Sequence, residues 1–180
     1  YQLGGSALFL SSRDIQLNRG EPLSDTAQVL SRYLDGIMAR TFAHEDVVTL
    51  ADYGSIPIIN GLTDLLHPCQ ALADLLTIRE HFASTEGRTL AYIGDGNNMA
   101  HSLMFAASKA GMHFTCAAPE GYWMEELVVA QGQSDASQAG TRILQTVSPS
   151  EAVANADVVY TDVWASMGQE DEAAQRIRDF

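Results

Sequence analysis

The chain has 180 residues with 23 acidic and 10 basic side chains, a formal net charge of −13 at pH 7. Hydrophobic residues make up 46% and charged residues 18%, which excludes a disordered chain. The acidic balance excludes a broad nucleic-acid or anionic-membrane footprint, and no apolar run reaches the roughly 20 residues of a membrane-spanning helix. Length alone implies one domain or two small ones. The two cysteines, Cys69 and Cys116, lack metal-knuckle spacing and imply no disulfide framework, so a reducing compartment is expected. The chain starts at Tyr1 and stops at Phe180 inside a helix-like run, so it is expected to be a piece of a longer protein.

Short β-rich runs alternate with helical ones. Residues 6–10 (SALFL) read as a strand, followed by an amphipathic helix that Ser24 would cap and whose face carries Ala27, Leu30 and Leu34. A strand at 36–40 (GIMAR) precedes a helix over 44–53, closed by Gly54 as its C′ residue. A strand at 57–60 (PIIN) leads to a long helix over 68–82, with Pro68 in its first turn. Strands are predicted again at 89–93, 112–117, 143–146 and 158–161, with helices at 98–110, 124–130, 150–156 and from 169 onward. The stretch 131–141 (QGQSDASQAGT) is expected to be a surface loop. Repeated βα units without tight hairpin signals imply parallel sheets covered by helices, with a boundary at the 68–82 helix.

In such folds ligands gather beyond the carboxyl ends of strands. Three polar clusters fall there: 60–70, 94–101 and 161–169, with Arg40 ending a further strand. His67-Pro68-Cys69-Gln70 opens a helix, where backbone N–H groups and the dipole favour an anion; equally, His67 could be an N-cap and Gln70 its capping partner. The Arg40 guanidinium suits phosphate or carboxylate, or is simply a solvated side chain. Gly94-Asp95-Gly96-Asn97-Asn98-Met99-Ala100 imitates a dinucleotide-binding G-x-G-x-x-G turn, with Glu120 as the ribose acid, but Met99 replaces the third glycine and two asparagines crowd the turn. Asp162 and Ser166, four apart, could hold an ammonium and the Met167 N–H a carboxylate; alternatively Asp162 or Ser166 caps the next helix.

Jointly, Leu3-Gly4-Gly5, Ser24-Asp25-Thr26-Ala27, Met38-Ala39-Arg40, Ile56 to Gly61, His67-Pro68-Cys69-Gln70, Gly94 to Asn98 and Asp162-Val163-Trp164-Ala165-Ser166-Met167-Gly168 resemble the ornithine carbamoyltransferases over essentially the whole chain. The H-P-x-Q box is common to the wider transcarbamylase superfamily, whereas D-x-x-x-S-M-G marks its ornithine branch. The resemblance implies two Rossmann-like parallel-sheet domains joined by a helix, the first incomplete: 1–66 for carbamoyl phosphate, 67–180 for ornithine, with 68–82 between. It implies that Arg40 and His67 act catalytically on carbamoyl phosphate, that Gln70 accepts from its amide, and that Gln16 reaches it across a subunit interface. It places Leu62, Asn98, Asp162, Ser166 and Met167 around ornithine. Neither metal nor other cofactor is expected; the implied assembly is a cytoplasmic homotrimer, a mitochondrial location also fitting, with no nucleic-acid or membrane partner. The family's S-x-R-T-R phosphate loop and H-C-L-P segment are missing, so the 180 residues alone are expected to be inactive or nearly so. Cys69 is expected to be a plain helix residue. The competing readings are carbamoyl transfer to putrescine or another amine, a nicotinamide-dependent oxidoreductase built on the 94–100 turn, and a non-catalytic interaction domain.

Overall fold

The computed structural model describes residues 2, 4–11, 20–165 and 170–180. Two parallel sheets organise it. The first is a pair, β1 (Ile37–Arg40) beside β2 (Ile58–Leu62), flanked by α1 (Leu23–Leu30) and α2 (His44–Tyr53). The second has four strands in the order β5-β4-β3-β6, formed by β3 (Thr89–Ile93), β4 (His113–Ala117), β5 (Ile143–Thr146) and β6 (Val158–Thr161). Between the sheets runs α3 (Pro68–Phe82), which packs on β2 and on α4 (Asn98–Lys109). The remaining helices are α5 (Glu126–Ala139), α6 (Pro149–Val153) and, after a 3-10 turn at Glu170–Glu172, α7 (Ala173–Asp179).

Burial follows position in the sheet. The central strands β3 and β4 are buried along most of their length, as strands covered on both faces must be, while the edge strand β6 alternates half-buried and exposed residues. Leu90, Tyr92, Leu103, Met104, Met112 and Phe114 are wholly buried in the larger core. A smaller core of Ala27, Ala39, Val47 and Leu50 lies under the β1–β2 pair. In the second sheet the chain runs from β3 outward through β4 to β5, then returns to the other side of β3 as β6. The gap between β3 and β6 is thus a topological switch point, where a crevice opens at the carboxyl ends of the strands.

The expected α/β architecture of parallel sheets is the one present, with four local corrections. Residues 6–10 form no strand; they are exposed, Phe9 to 91%, because a strand exists only through ladder partners and no described residue pairs with them. Helix α1 starts at Leu23 with Pro22 as N-cap, and the Ser24 hydroxyl turns to Asp25 instead of capping. Gly54 ends α2 in an extended conformation (φ −77°), not as a left-handed C′ residue; a Cβ there would lie 2.6 Å from the Leu50 carbonyl, so close approach and not handedness calls for glycine. Residues 131–139 are helix, not loop. Gly132 and Ala136 are buried in α5, where a Cβ on Gly132 would strike Met104 of α4. Asp135 accepts from Gln131 one turn earlier on the same helix and pairs with Lys109 at the end of α4. Helix packing outweighs the weak propensity of this stretch.

His101 ties the two halves together. Its ring is almost fully buried; Nε2 accepts from the Glu125 N–H at 3.1 Å, so the neutral ring carries its proton on Nδ1, which donates to the Leu65 carbonyl at 3.0 Å. Burial holds this imidazole below its ordinary 6.5. The unfolded chain therefore takes up a proton that the folded state resists, and stability is complete above pH 6.5 and declines as the pH falls below it. Urea unfolding at pH 7.5 and 5.5 should show this loss, and His101→Gln should reduce the difference between the two pH values.

Candidate functional site

A cleft of about 500 Å³ lies where the carboxyl ends of both sheets meet. From the first sheet come Arg40 at the end of β1 and Leu62 at the end of β2; Phe42 and Asp64 follow them. His67 and Gln70 stand at the start of α3. From the second sheet come Asp95 to Met99 after β3, Tyr160 on β6, and Asp162 just beyond it. Arg40, Leu62, His67, Gln70, Asn98 and Asp162, singled out in the sequence, thus line one cleft. Gln16, Ser166 and Met167 lie outside the described residues.

Local chemistry explains these placements. Asn97 caps α4, its side-chain oxygen accepting from the N–H groups of Met99 (2.9 Å) and Ala100 (3.3 Å) and from the Tyr92 hydroxyl (3.3 Å). Asn98, the first helical residue, donates through Nδ2 to the Thr63 carbonyl at 2.6 Å. Ser102, one turn on, donates to the Asn98 carbonyl and accepts from the His67 N–H at 2.6 Å. His67 is the N-cap of α3 by backbone position, but its side chain makes no capping bond, and Gln70 bonds forward to Asp74 rather than back. The N-cap position expected for His67 is thus present, while the capping-box role for Gln70 is not. Arg40 is exposed, and no carboxylate pairs with it among the described residues.

Burial, and then the nearby Arg40 charge, hold the His67 imidazole below its ordinary value, with Asp162 and Asp74 opposing. His67 is therefore a neutral ring at pH 7, and its Nδ1 is buried without a partner among the described residues. Burial lifts the Asp74 carboxyl above its ordinary value and, with Asp74 and Asp162 nearby, pushes the Tyr160 phenol up to about 12. The segment after β6 is anchored by Arg176 of α7, which donates to Asp95 at 2.7 Å and to the Trp164 carbonyl at 2.9 Å. This ion pair is almost wholly buried, and it joins the end of β3 to the chain just past Asp162.

The second glycine of the 94–98 turn is committed to packing. Gly96 donates to the Tyr122 carbonyl at 2.8 Å, and a Cβ on it would collide with the backbone of Trp123 and Met124. The glycine thus serves close packing of two loops. Sequence reading missed Tyr160, counted only as a strand residue, and Asp74, although its place one helical turn from Gln70 was a usable signal. Among the described residues no group of His, Cys, Asp and Glu could hold a metal ion, and no helix is long and apolar enough to cross a membrane.

Fold and site define a parallel α/β protein whose polar cleft is shared between two sheets. Residues 86–180 match the Asp/Orn-binding domain of the aspartate/ornithine carbamoyltransferases, and residues 1–80 match the carbamoyl-P-binding domain of the same family. The chain is 62% identical over 179 residues to an ornithine carbamoyltransferase of Anoxybacillus flavithermus, covering 99% of this chain and 57% of that protein. Identity to the corresponding protein of Oceanobacillus iheyensis is 59% over 180 residues, covering the whole of this chain and 56% of the relative. The solved ornithine carbamoyltransferase of Pyrococcus furiosus superimposes with a TM-score of 0.93 at 52% identity, over 99% of this chain and 57% of that one. The chain belongs to the aspartate/ornithine carbamoyltransferase family, and it spans a little over half the length of these relatives.

Rigid backbone surrounds Gly96 on the cleft side of β3, so Gly96→Ala should cost about 1–3 kcal/mol through overpacking. Urea denaturation of the variant against the parent measures it.

Proposed function

We propose that the protein to which this chain belongs transfers the carbamoyl group of carbamoyl phosphate to the δ-amine of L-ornithine, giving L-citrulline and phosphate. The observation that carries this reading is the convergence of Arg40, His67 and Gln70 with Leu62, Asn98 and Asp162 on one cleft. Relatives above 50% identity bear the name ornithine carbamoyltransferase.

In this reading residues 1–66 serve the carbamoyl donor and residues 67–180 the amino acid, with α3 between them. Arg40 and the neutral His67 donate to the carbonyl and phosphate oxygens, and Gln70 accepts from the carbamoyl NH₂. Asp162 with Ser166 holds the α-ammonium, Asn98 and the Met167 N–H take the carboxylate, and Leu62 packs against the ornithine chain. The neutral δ-amine attacks the carbamoyl carbon, a C–N bond forms, and the tetrahedral oxyanion collapses by breaking the C–O bond to phosphate; the proton lost by the attacking nitrogen passes to the departing phosphate, which leaves as HPO4²⁻. Donors aimed at that oxyanion stabilise it by roughly 3 kcal/mol each, and holding both substrates in line contributes several kcal/mol more. None of these steps requires a protein nucleophile.

The whole protein is read as a cytoplasmic homotrimer in which Gln16 reaches the donor of a neighbouring subunit; this part rests on family resemblance alone. Within the cleft, Arg40 is the one arginine or lysine among the described lining residues, against Asp64, Glu125 and Asp162, Asp95 being neutralised by Arg176. A dianionic phosphate needs more positive charge than that, which supports the expectation that the 180 residues alone turn over little or nothing.

With the complete protein, citrulline should form from ornithine while N-carbamoylputrescine does not form from putrescine. Arg40→Ala should lower kcat/KM by roughly 10²–10³-fold, as removal of an oxyanion donor does. Preference for putrescine, or an Arg40→Ala variant as active as the parent, contradicts the proposal.

A further inference from the structure

Asp74 lies one helical turn beyond Gln70, so both side chains share a face of α3. Gln70 Nε2 donates to Asp74 Oδ1 at 3.0 Å. Asp74 is half-buried, its Oδ2 has no hydrogen-bond partner among the described residues, and the Tyr160 phenol of β6 stands beside it. A carboxylate only accepts, whereas a primary amide donates at one end and accepts at the other. Ionised Asp74 therefore decides which end of Gln70 turns toward it. The NH₂ faces Asp74, and Oε1 is left for the cleft that Gln70 lines.

From this juxtaposition we propose that Asp74 is a positioning residue that locks the Gln70 amide with its acceptor end toward the donor substrate, making the cleft selective for a carbamoyl NH₂. The inference rests on the reading above, in which Gln70 meets that NH₂. Carbamoyl phosphate and acetyl phosphate are nearly isosteric and differ there by an NH₂ against a methyl. Arg40 and His67, addressing the phosphate and carbonyl common to both, do not tell them apart. An Oε1 held in place does, because a methyl leaves a desolvated acceptor unpaired. Were the amide free to turn, its NH₂ would oppose the substrate's NH₂ and selectivity would fall. Tyr160 borders Asp74 from the side of the second sheet and its phenol favours the ionised carboxylate, so the selectivity element of the donor site is supported from both sheets.

The test uses the complete protein and calorimetric binding of two probes. Phosphonoacetamide keeps the amide and carries a CH₂ in place of the bridging oxygen; inorganic phosphate has no amide. Asp74→Asn keeps the shape of residue 74 but lets it donate to Gln70 Oε1 and turn the amide round. It should bind phosphonoacetamide roughly tenfold more weakly and inorganic phosphate within about twofold of the parent. Tyr160→Phe, which leaves the helix untouched, should weaken phosphonoacetamide alone, by roughly threefold; it decides the matter if Asp74→Asn does not fold. Equal weakening of both probes marks a merely structural role and overturns the inference, as does unchanged binding of both. A parent protein that binds phosphate but not phosphonoacetamide refutes the carbamoyl phosphate reading itself, an outcome distinct from failure of the variants.

Discussion

Three hydrogen bonds between the loop after β2 and the first turns of α4 hold the cleft together. His67 N–H donates to Ser102 Oγ at 2.6 Å, Asn98 Nδ2 donates to the Thr63 carbonyl at 2.6 Å, and His101 Nδ1 meets the Leu65 carbonyl at 3.0 Å. Each crosses from the first sheet's loop to the second sheet's helix, and each satisfies a backbone group that would otherwise be left unpaired near the interior. Residues as far apart in sequence as Arg40 and Asp162 come to line one space because this seam fixes the two halves. Loss of a single member leaves a polar group of its partner without a mate, which costs more than the bond itself contributed.

Around the seam, charge is distributed unevenly. The most deeply buried ion pair among the described residues, Arg176 with Asp95, stands in the cleft wall that Asp95 lines and pins the chain after β6 to the turn after β3. Removing one partner from such a pair leaves an isolated buried charge, so the pair acts as a fixed strut regardless of its net contribution. Arg40 by contrast is exposed and unpaired among the described residues, at the end of a strand in an acidic molecule. A guanidinium left without a carboxylate keeps its donors for an incoming anion. The neutral His67 complements it, giving an N–H donor that adds no competing charge.

Much of this was legible in the sequence, for identifiable reasons. The helix over 68–82 has Pro68 at its start, and the structure has it at Pro68–Phe82; of the apolar residues Leu72, Leu75, Leu76 and Phe82, which suggest a buried face, Leu72 and Leu76 are exposed and Ala71 and Ile78 are buried instead. Strands β3, β5 and β6 fall on their expected residues because short β-branched and aromatic runs were bounded by turns. Tertiary effects hid the rest. Gly132 and Ala136 read as loop formers until α4 is seen pressed against them. The apolar run 6–10 has strand composition but no ladder partner among the described residues. Of the site, residues at strand ends and in the H-P-x-Q box were readable, since their position alone marks them. The seam through Thr63, Leu65 and Ser102 was not, because it joins backbone carbonyls and a serine about 35 residues apart. Tyr160 was hidden by its strand, where an aromatic is ordinary sheet filling.

The central claim is that a single cleft seats a phosphorylated carbamoyl donor and a basic amino acid side by side. A crystal structure of the complete protein with N-phosphonoacetyl-L-ornithine, which fuses the two ligands, tests it most directly. The account predicts the phosphonate against Arg40 and His67, the amide carbonyl near His67, and the amino-acid head against Asn98 and Asp162. A ligand seated elsewhere, or one whose amino-acid end points away from Asn98 and Asp162, would contradict it.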